Sequence, residues 1–301
     1  MSAAKRRKTK NANRRVSQLA RLLSLLFGPA RTLTLLVLLL ALFSGGTYMV
    51  WRNVKEPLLR SAGYMVTPRN VEITPPPPWI HSSIREDVFR DASLDGPLSI
   101  MDDDLTDRIS TAFSLHPWVA KVLRVSKYHP ARVTVELVYR RPVCMVEVTD
   151  GLLPVDEQGV LLPVGDFSPI EASRYPRLVG VNTDPVGPVG TRWGDARVVG
   201  GAEIASALGP VWEQFKLHRI VPLSTGTRGA TDDYVYAIFT RGGTRIIWGR
   251  APGVNAPGEL PPGEKIARLK WVAQQDGGLD NHGDSRELDV HSLRVSSLPK
   301  R

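Results

Sequence analysis

Positions 1–31 hold nine Lys and Arg residues and no acidic residue, and twenty uncharged residues follow, Thr32–Trp51 (TLTLLVLLLALFSGGTYMVW). As a helix this run is about 30 Å long, the thickness of a bilayer's hydrocarbon core. Lys and Arg ahead of a span hold that side in the cytoplasm. The sequence therefore predicts a cytoplasmic N-terminus, one pass from Thr32 to Trp51, and exported domains beyond it. A secretory signal has a shorter apolar core of about 7–15 residues and a small-residue cleavage site. Here Tyr48-Met49-Val50-Trp51-Arg52 closes the run without an A-x-A pattern, and its two rings suit a membrane–water boundary. Upstream, Val16, Leu19, Leu22, Leu23 and Leu26 recur at helical spacing. That stretch either lies in the inner interface or extends the span.

The tail also accounts for the chain's charge. Setting aside its nine basic residues leaves 30 of the 39 Lys and Arg against 30 Asp and Glu. A neutral exported part has no electrostatic footprint for nucleic acid. The tail reads as a topology signal or a contact for anionic lipid. The single cysteine, Cys144, excludes an intramolecular disulfide and sits among apolar residues as a core thiol.

Residues 52–70 read as a linker, with Pro57, Gly63 and Pro68 opposing a regular helix, and Pro75–Pro78 as a stiff spacer. From 71 to 149 the order is strand, helix, helix, strand, strand. Val71-Glu72-Ile73 is a short strand. Ser82 or Ser83 caps a helix with Ile84, Val88 and Phe89 inward. Asp102, Asp103 and Asp104 open a second helix whose apolar face is Leu105, Ile109, Ala112 and Phe113, and Pro117 ends it. Val119, Lys121, Leu123, Val125 and Lys127 share one phase of a strand. A turn at Tyr128–Arg132 leads to a second strand with Val133, Val135, Leu137 and Tyr139. Residues 150–301 read as a β-rich domain with flanking helices. It includes a helix over 197–215 with Ile204, Leu208 and Trp212 on one face. Strands at 234–240 and 244–248 pair across Arg241-Gly242-Gly243, and a last strand covers 286–294. The fold class is thus α+β behind one transmembrane helix.

The stretch His116–Val148 (HPWVAKVLRVSKYHPARVTVELVYRRPVCMVEV) resembles the signature of the FtsQ/DivIB family of bacterial cell-division proteins. That signature closes a small polypeptide-transport-associated (POTRA) domain of β-α-α-β-β order. Further on, Leu153–Val160 resembles the family's "lvD-x-x-G-v" hairpin, and Tyr175–Gly180 its "lP-x-L-x-G" segment. Arg245–Gly249 with Glu264–Leu269 resembles its "v-x-LG…K-x-x-L" strand and helix, and Glu287–His291 its terminal "x-v-D-l-x" strand. Departures are the proline run where the first strand ends in Gly-Asn, Trp248 in place of Leu, and Gly- and Pro-rich inserts at 182–195 and 250–263.

The resemblance implies a scaffold of the division complex in the inner membrane, with its C-terminal domains periplasmic and enriched at the division site. It implies docking of small bitopic partners of the FtsB/FtsL type on the last strand, at Leu288, Asp289, Val290, His291, Ser292 and Arg294. A strand at a sheet edge leaves backbone donors and acceptors that a partner strand satisfies.

The residues suggest no catalytic apparatus. The six histidines are scattered without metal-ligand spacing, and no nucleophile elbow or phosphate-cradling loop is present. The triplet Asp102–Asp104 reads as a helix-start feature, and Asp276–Asp284 (DGGLDNHGD) lacks the ligand spacing of a calcium loop and reads as a flexible link. No cofactor, metal or small-molecule substrate is expected. Sites also assemble from distant residues, so two alternatives stay open: a membrane-anchored envelope enzyme such as a cell-wall hydrolase, and a POTRA-bearing transport accessory.

Overall fold

The computed structural model of the protein describes residues 31–59, 63–92, 98–224, 234–254, 257–280 and 287–292. It forms two compact units, Met1–Met65 and Val66–Arg301. The basic positions before Arg31, the amphipathic stretch at 16–27 and Arg294 lie outside the described residues.

In the first unit, α1 runs Arg31–Leu59 and contains the whole expected span. Its window Leu35–Val54 has a mean hydropathy of 1.6 and buries nothing within the protein. Among the described residues this one helix is long and apolar enough to cross a membrane. It continues past Trp51 through Pro57, where the sequence reads a linker. Pro57 lacks only its own N–H, so it forfeits a single bond in the last turns, and the helix stops two residues later.

The second unit opens with β1 (Met65–Val66), β2 (Val71–Ile73), α2 (Ile84–Asp91), β3 (Leu98–Ser99), α3 (Leu105–Ser114), β4 (Val119–Tyr128) and β5 (Arg132–Tyr139). Strands β2, β5 and β4 form a sheet in that order, β2 parallel and β4 antiparallel to β5. The apolar faces of α2 and α3 are buried through Ile84, Val88, Phe89, Leu105, Ile109, Ala112 and Phe113. Strand β5 alternates as its sequence does, with Val133, Val135 and Leu137 inward. Strand β4 does not. Two register shifts, between Val119 and Lys121 and between Val122 and Arg124, reset its phase, and Leu123 stands 56% exposed.

The chain passes from β5 through Arg140 and Arg141 into a seven-stranded sheet, ordered β12-β11-β10-β9-β8-β6-β7. Its strands are β6 (Pro142–Val148), β7 (Gly151–Asp156), β8 (Arg177–Leu178), β9 (Leu217–Ser224), β10 (Tyr234–Thr240), β11 (Arg245–Gly249) and β12 (Glu287–Asp289). Three helices lie between them: α4 (Pro169–Arg174), α5 (Ala196–Leu208) and α6 (Pro262–Gln275). One face of the sheet carries the core: Val146, Leu178, Ile220, Ile238, Ile246 and Trp248 pack with Ile204, Leu208 and Trp212. Helix α5 sits close because it is glycine-faced there. A Cβ on Gly201 would come within 2.8 Å of Leu178 Cδ2, and one on Gly200 equally near Tyr236 Cζ.

The two sheets are tied by carboxylates. Asp166, 7% exposed, accepts the His81 and Ser82 N–H groups on one oxygen, at 3.0 and 2.7 Å. Its other oxygen accepts the Ser82 hydroxyl at 3.0 Å and Trp118 Nε1–H at 2.6 Å. The serine expected to cap α2 is thus engaged with Asp166, and Ser83 at the N-cap makes no side-chain cap bond. Nearby, Asp156 takes the Arg140 guanidinium at 2.7 Å and the Gln158 and Val160 N–H groups at 2.9 Å. The Arg-Arg-Pro and Asp-x-x-Gly motifs, apart in sequence, meet in this ion pair.

Three predictions arise from this packing. Asp166→Ala orphans two backbone donors and the buried Trp118 indole, and should cost roughly 3 kcal/mol or more in denaturant-unfolding free energy. Cys144 is fully buried, and burial pushes its thiol up to about 12, while burial also pushes Tyr139 up to about 12. A raised folded pKa stabilises the fold below the ordinary thiol value of 9.0 and loses that contribution as pH climbs toward 12. The unfolding midpoint should therefore fall from about pH 9 upward. A thiol reagent at pH 8 should label Cys144 only when the chain unfolds.

Candidate functional site

Strand β12 closes one edge of the seven-stranded sheet. It runs parallel to β11 with Arg245, Ile246 and Ile247 opposite Glu287, Leu288 and Asp289. The Val290 N–H donates to the Ile247 carbonyl at 3.2 Å. Backbone groups alternate sides along a strand, so Leu288 and Val290 face β11, and the N–H and C=O groups of Glu287 and Asp289 point away from the sheet. Val290 is therefore not an edge donor, and its side chain is core at 1% exposure, with Leu288 at 8%. Of the six residues singled out by sequence, these two support the edge from beneath, and Arg294 lies outside the described residues.

The edge is also short. His291 N–H donates to Asp289 Oδ1 at 3.0 Å, with its ring Nδ1 2.5 Å from the same oxygen. The His291 carbonyl accepts Leu260 N–H at 2.9 Å, and Ser292 bridges to Glu259. The Ser292 carbonyl also accepts Arg268 at 2.6 Å. The 259–260 segment and α6 thus occupy the chain after Asp289. The open backbone positions are Glu287 and Asp289 among the described residues.

A buried polar group supports this corner. Lys265 and Glu259 pair at 2.5 Å with both side chains nearly inaccessible, and Lys265 lies 4.8 Å over the Trp248 ring. Burial pulls the Lys265 pKa down, against the opposing pull of Glu259. Glu259 also accepts the Arg250 N–H at 2.6 Å. The departure to Trp248 has a physical counterpart here: the larger ring gives the lysine a π-face. Gly249, at φ +90°, has no room for a side chain, since a Cβ would meet the Glu259 carboxylate and come within 2.7 Å of His291 Cβ.

Sequence reasoning missed Trp271. On α6, Lys265 and Leu269 point inward, while Trp271 is 60% exposed, one turn beyond the Arg268 that holds Ser292. The signal was present: in an i, i+4 apolar pattern an aromatic residue out of phase faces solvent. The Asp102–Asp104 triplet closes a local turn, with Asp102 accepting the Ser99 N–H at 3.1 Å and Asp104 at the helix N-cap. The Asp276–Asp284 segment is anchored in its described part. Asp280 accepts the Thr240 hydroxyl and, at 3.0 Å, the Gly242 N–H. Among the described residues no three His, Cys, Asp or Glu side chains converge as a metal site.

Gly249→Ala should force either the strained φ or displacement of Glu259 and His291. The expected result is a loss of about 1–3 kcal/mol in unfolding free energy, with faster proteolysis near residues 290–292. In comparisons with known proteins, no protein-family model and no curated protein matches this chain.

Proposed function

We propose that this protein is a bitopic scaffold of the bacterial cell-division complex, of the FtsQ/DivIB type, working by binding and not by catalysis. The observation that carries this reading is the position of β12, the strand whose sequence resembles the family's terminal strand, at the edge of its sheet with main chain to offer. The β2-α2-α3-β4-β5 order, with β2 parallel to β5 in a three-stranded sheet, is the order expected of a POTRA domain. A helix fit to cross a membrane precedes both. In this reading a partner strand adds outside Glu287 and Asp289, with Trp271 as an aromatic anchor beside it. Confinement of both proteins to one membrane raises their effective concentration, so a short edge suffices.

A fluorescent fusion at the cytoplasmic N-terminus, imaged in dividing cells, should concentrate at the division plane. A uniform envelope signal throughout the cycle would remove the division role. In the same cells, Glu287→Pro deletes one outward N–H and leaves the β11–β12 ladder bonds in place. It should abolish co-purification of small bitopic division proteins, while Glu287→Ala, which loses only the exposed ion pair to Arg245, retains them. Trp271→Ala should weaken recovery of the same partners without moving the melting temperature.

A further inference from the structure

The face of the seven-stranded sheet opposite the core carries an ordered row. The pairing registers set Arg177 opposite Arg219, Arg219 opposite Phe239, Phe239 opposite Arg245, and Arg245 opposite Glu287. These side chains cross five adjacent strands at about 4.8 Å per step. The next row along the same face holds Val221, Ala237, Ile247 and Asp289. Val221, Phe239 and Ile247 are only half-buried.

The charges in this row are unbalanced at one end. Arg245 has Glu287 at 3.0 Å. Arg177 and Arg219 sit directly across from each other and pair with no carboxylate among the described residues, an arrangement that destabilises a sheet. The Arg219 guanidinium carbon lies over the Phe239 ring, 4.7 Å from its centroid, and the Nε of Arg177 is buried without a hydrogen-bond partner. The register shift between Phe239 and Thr240 leaves His218 unpaired beside Arg219, with both residues exposed. Burial, then Arg177, Arg219 and Arg241, pull the His218 pKa down, against a smaller opposing pull from Glu147 on β6.

We infer that this face seats an acidic segment of a protein partner, its carboxylates on Arg177 and Arg219 and its apolar side chains on Val221, Phe239 and Ile247. The guanidinium geometry favours a protein over a bilayer. Arg219 is exposed but Arg177 is half-buried with its Nε enclosed, so side chains on a narrow segment reach the pair more readily than a flat array of headgroups does. Planar guanidinium forks also match carboxylates in bidentate pairs. The surface lies on the sheet face, separate from the β12 edge, and does not depend on the division role.

The test uses the full-length protein in detergent micelles and a fluorescein-labelled 16-residue peptide of alternating Glu and Leu, followed by anisotropy. Saturable binding is expected, at least tenfold weaker for the same peptide with Gln for Glu, and at least tenfold weaker with Arg219→Glu or Arg177→Gln. In the free protein, Arg219→Gln should raise the unfolding midpoint, because it removes a like-charge neighbour. Three results would each overturn the inference. The Gln peptide could bind equally well; Arg219→Glu could bind undiminished; or phosphatidylglycerol vesicles could bind in a manner lost with Arg219→Glu while the Glu peptide does not bind.

Discussion

Two buried carboxylates hold the second unit together. Among the described residues no cation pairs with Asp166; hydrogen bonds from two backbone amides, a hydroxyl and an indole satisfy it. Four donors from His81, Ser82 and Trp118 make that burial tolerable, since a carboxylate removed from water needs its lone pairs filled. Because those donors belong to the segment before α2 and the segment before β4, the loop after β7 is tied to two places on the smaller sheet. Asp156 adds a charged tie through Arg140, the residue that carries the chain from one sheet to the other. The geometry of both sheets, and so the aim of each exposed surface, follows from these contacts.

The far corner is organised on a similar principle with a different chemistry. Glu259 collects the Lys265 ammonium and the Arg250 amide, and the segment it anchors takes up the main chain of His291 and Ser292. A parallel last strand that ran on open would invite uncontrolled pairing. Consuming its end leaves, among the described residues, the outward backbone of Glu287 and Asp289. The buried ion pair is a costly support, and Gly249 is required so that strand, carboxylate and histidine fit together.

Much of this was legible in the sequence where local pattern decides structure. The inward faces of α2 and α3, the alternation in β5 and the β10–β11 hairpin follow from periods of 3.6 and 2.0. Strand β4 departs from its expected single phase because bulges leave no trace in an alternation count: Val119 is buried while Leu123, placed on the same phase, stands in solvent. Helix α1 was cut short because a late proline was weighed as a full stop. At the candidate edge, sequence order located the strand, but period 2 alone does not say which residues face β11. Val290 and Leu288, chosen as partner contacts, are core. The role of Asp166 was invisible, since its partners lie 48 to 85 residues away.

Strand β8 contributes only Arg177 and Leu178, yet among the described residues it is the strand that joins the β6–β7 hairpin to the four strands from β9 to β12. In mechanical terms it is the seam of the sheet. A load applied at β12 would cross its three-pair ladder to β11 and the longer ladders among β11, β10 and β9, and then meet the two-pair ladders of β8. Helix α5, which touches β6, β8 and β9 together, lies across that seam as a splint. Its paired glycines let it lie flat enough to share the shear. A protein held by its N-terminal helix and pulled at its last strand would therefore yield first between β8 and its neighbours, leaving the smaller sheet intact.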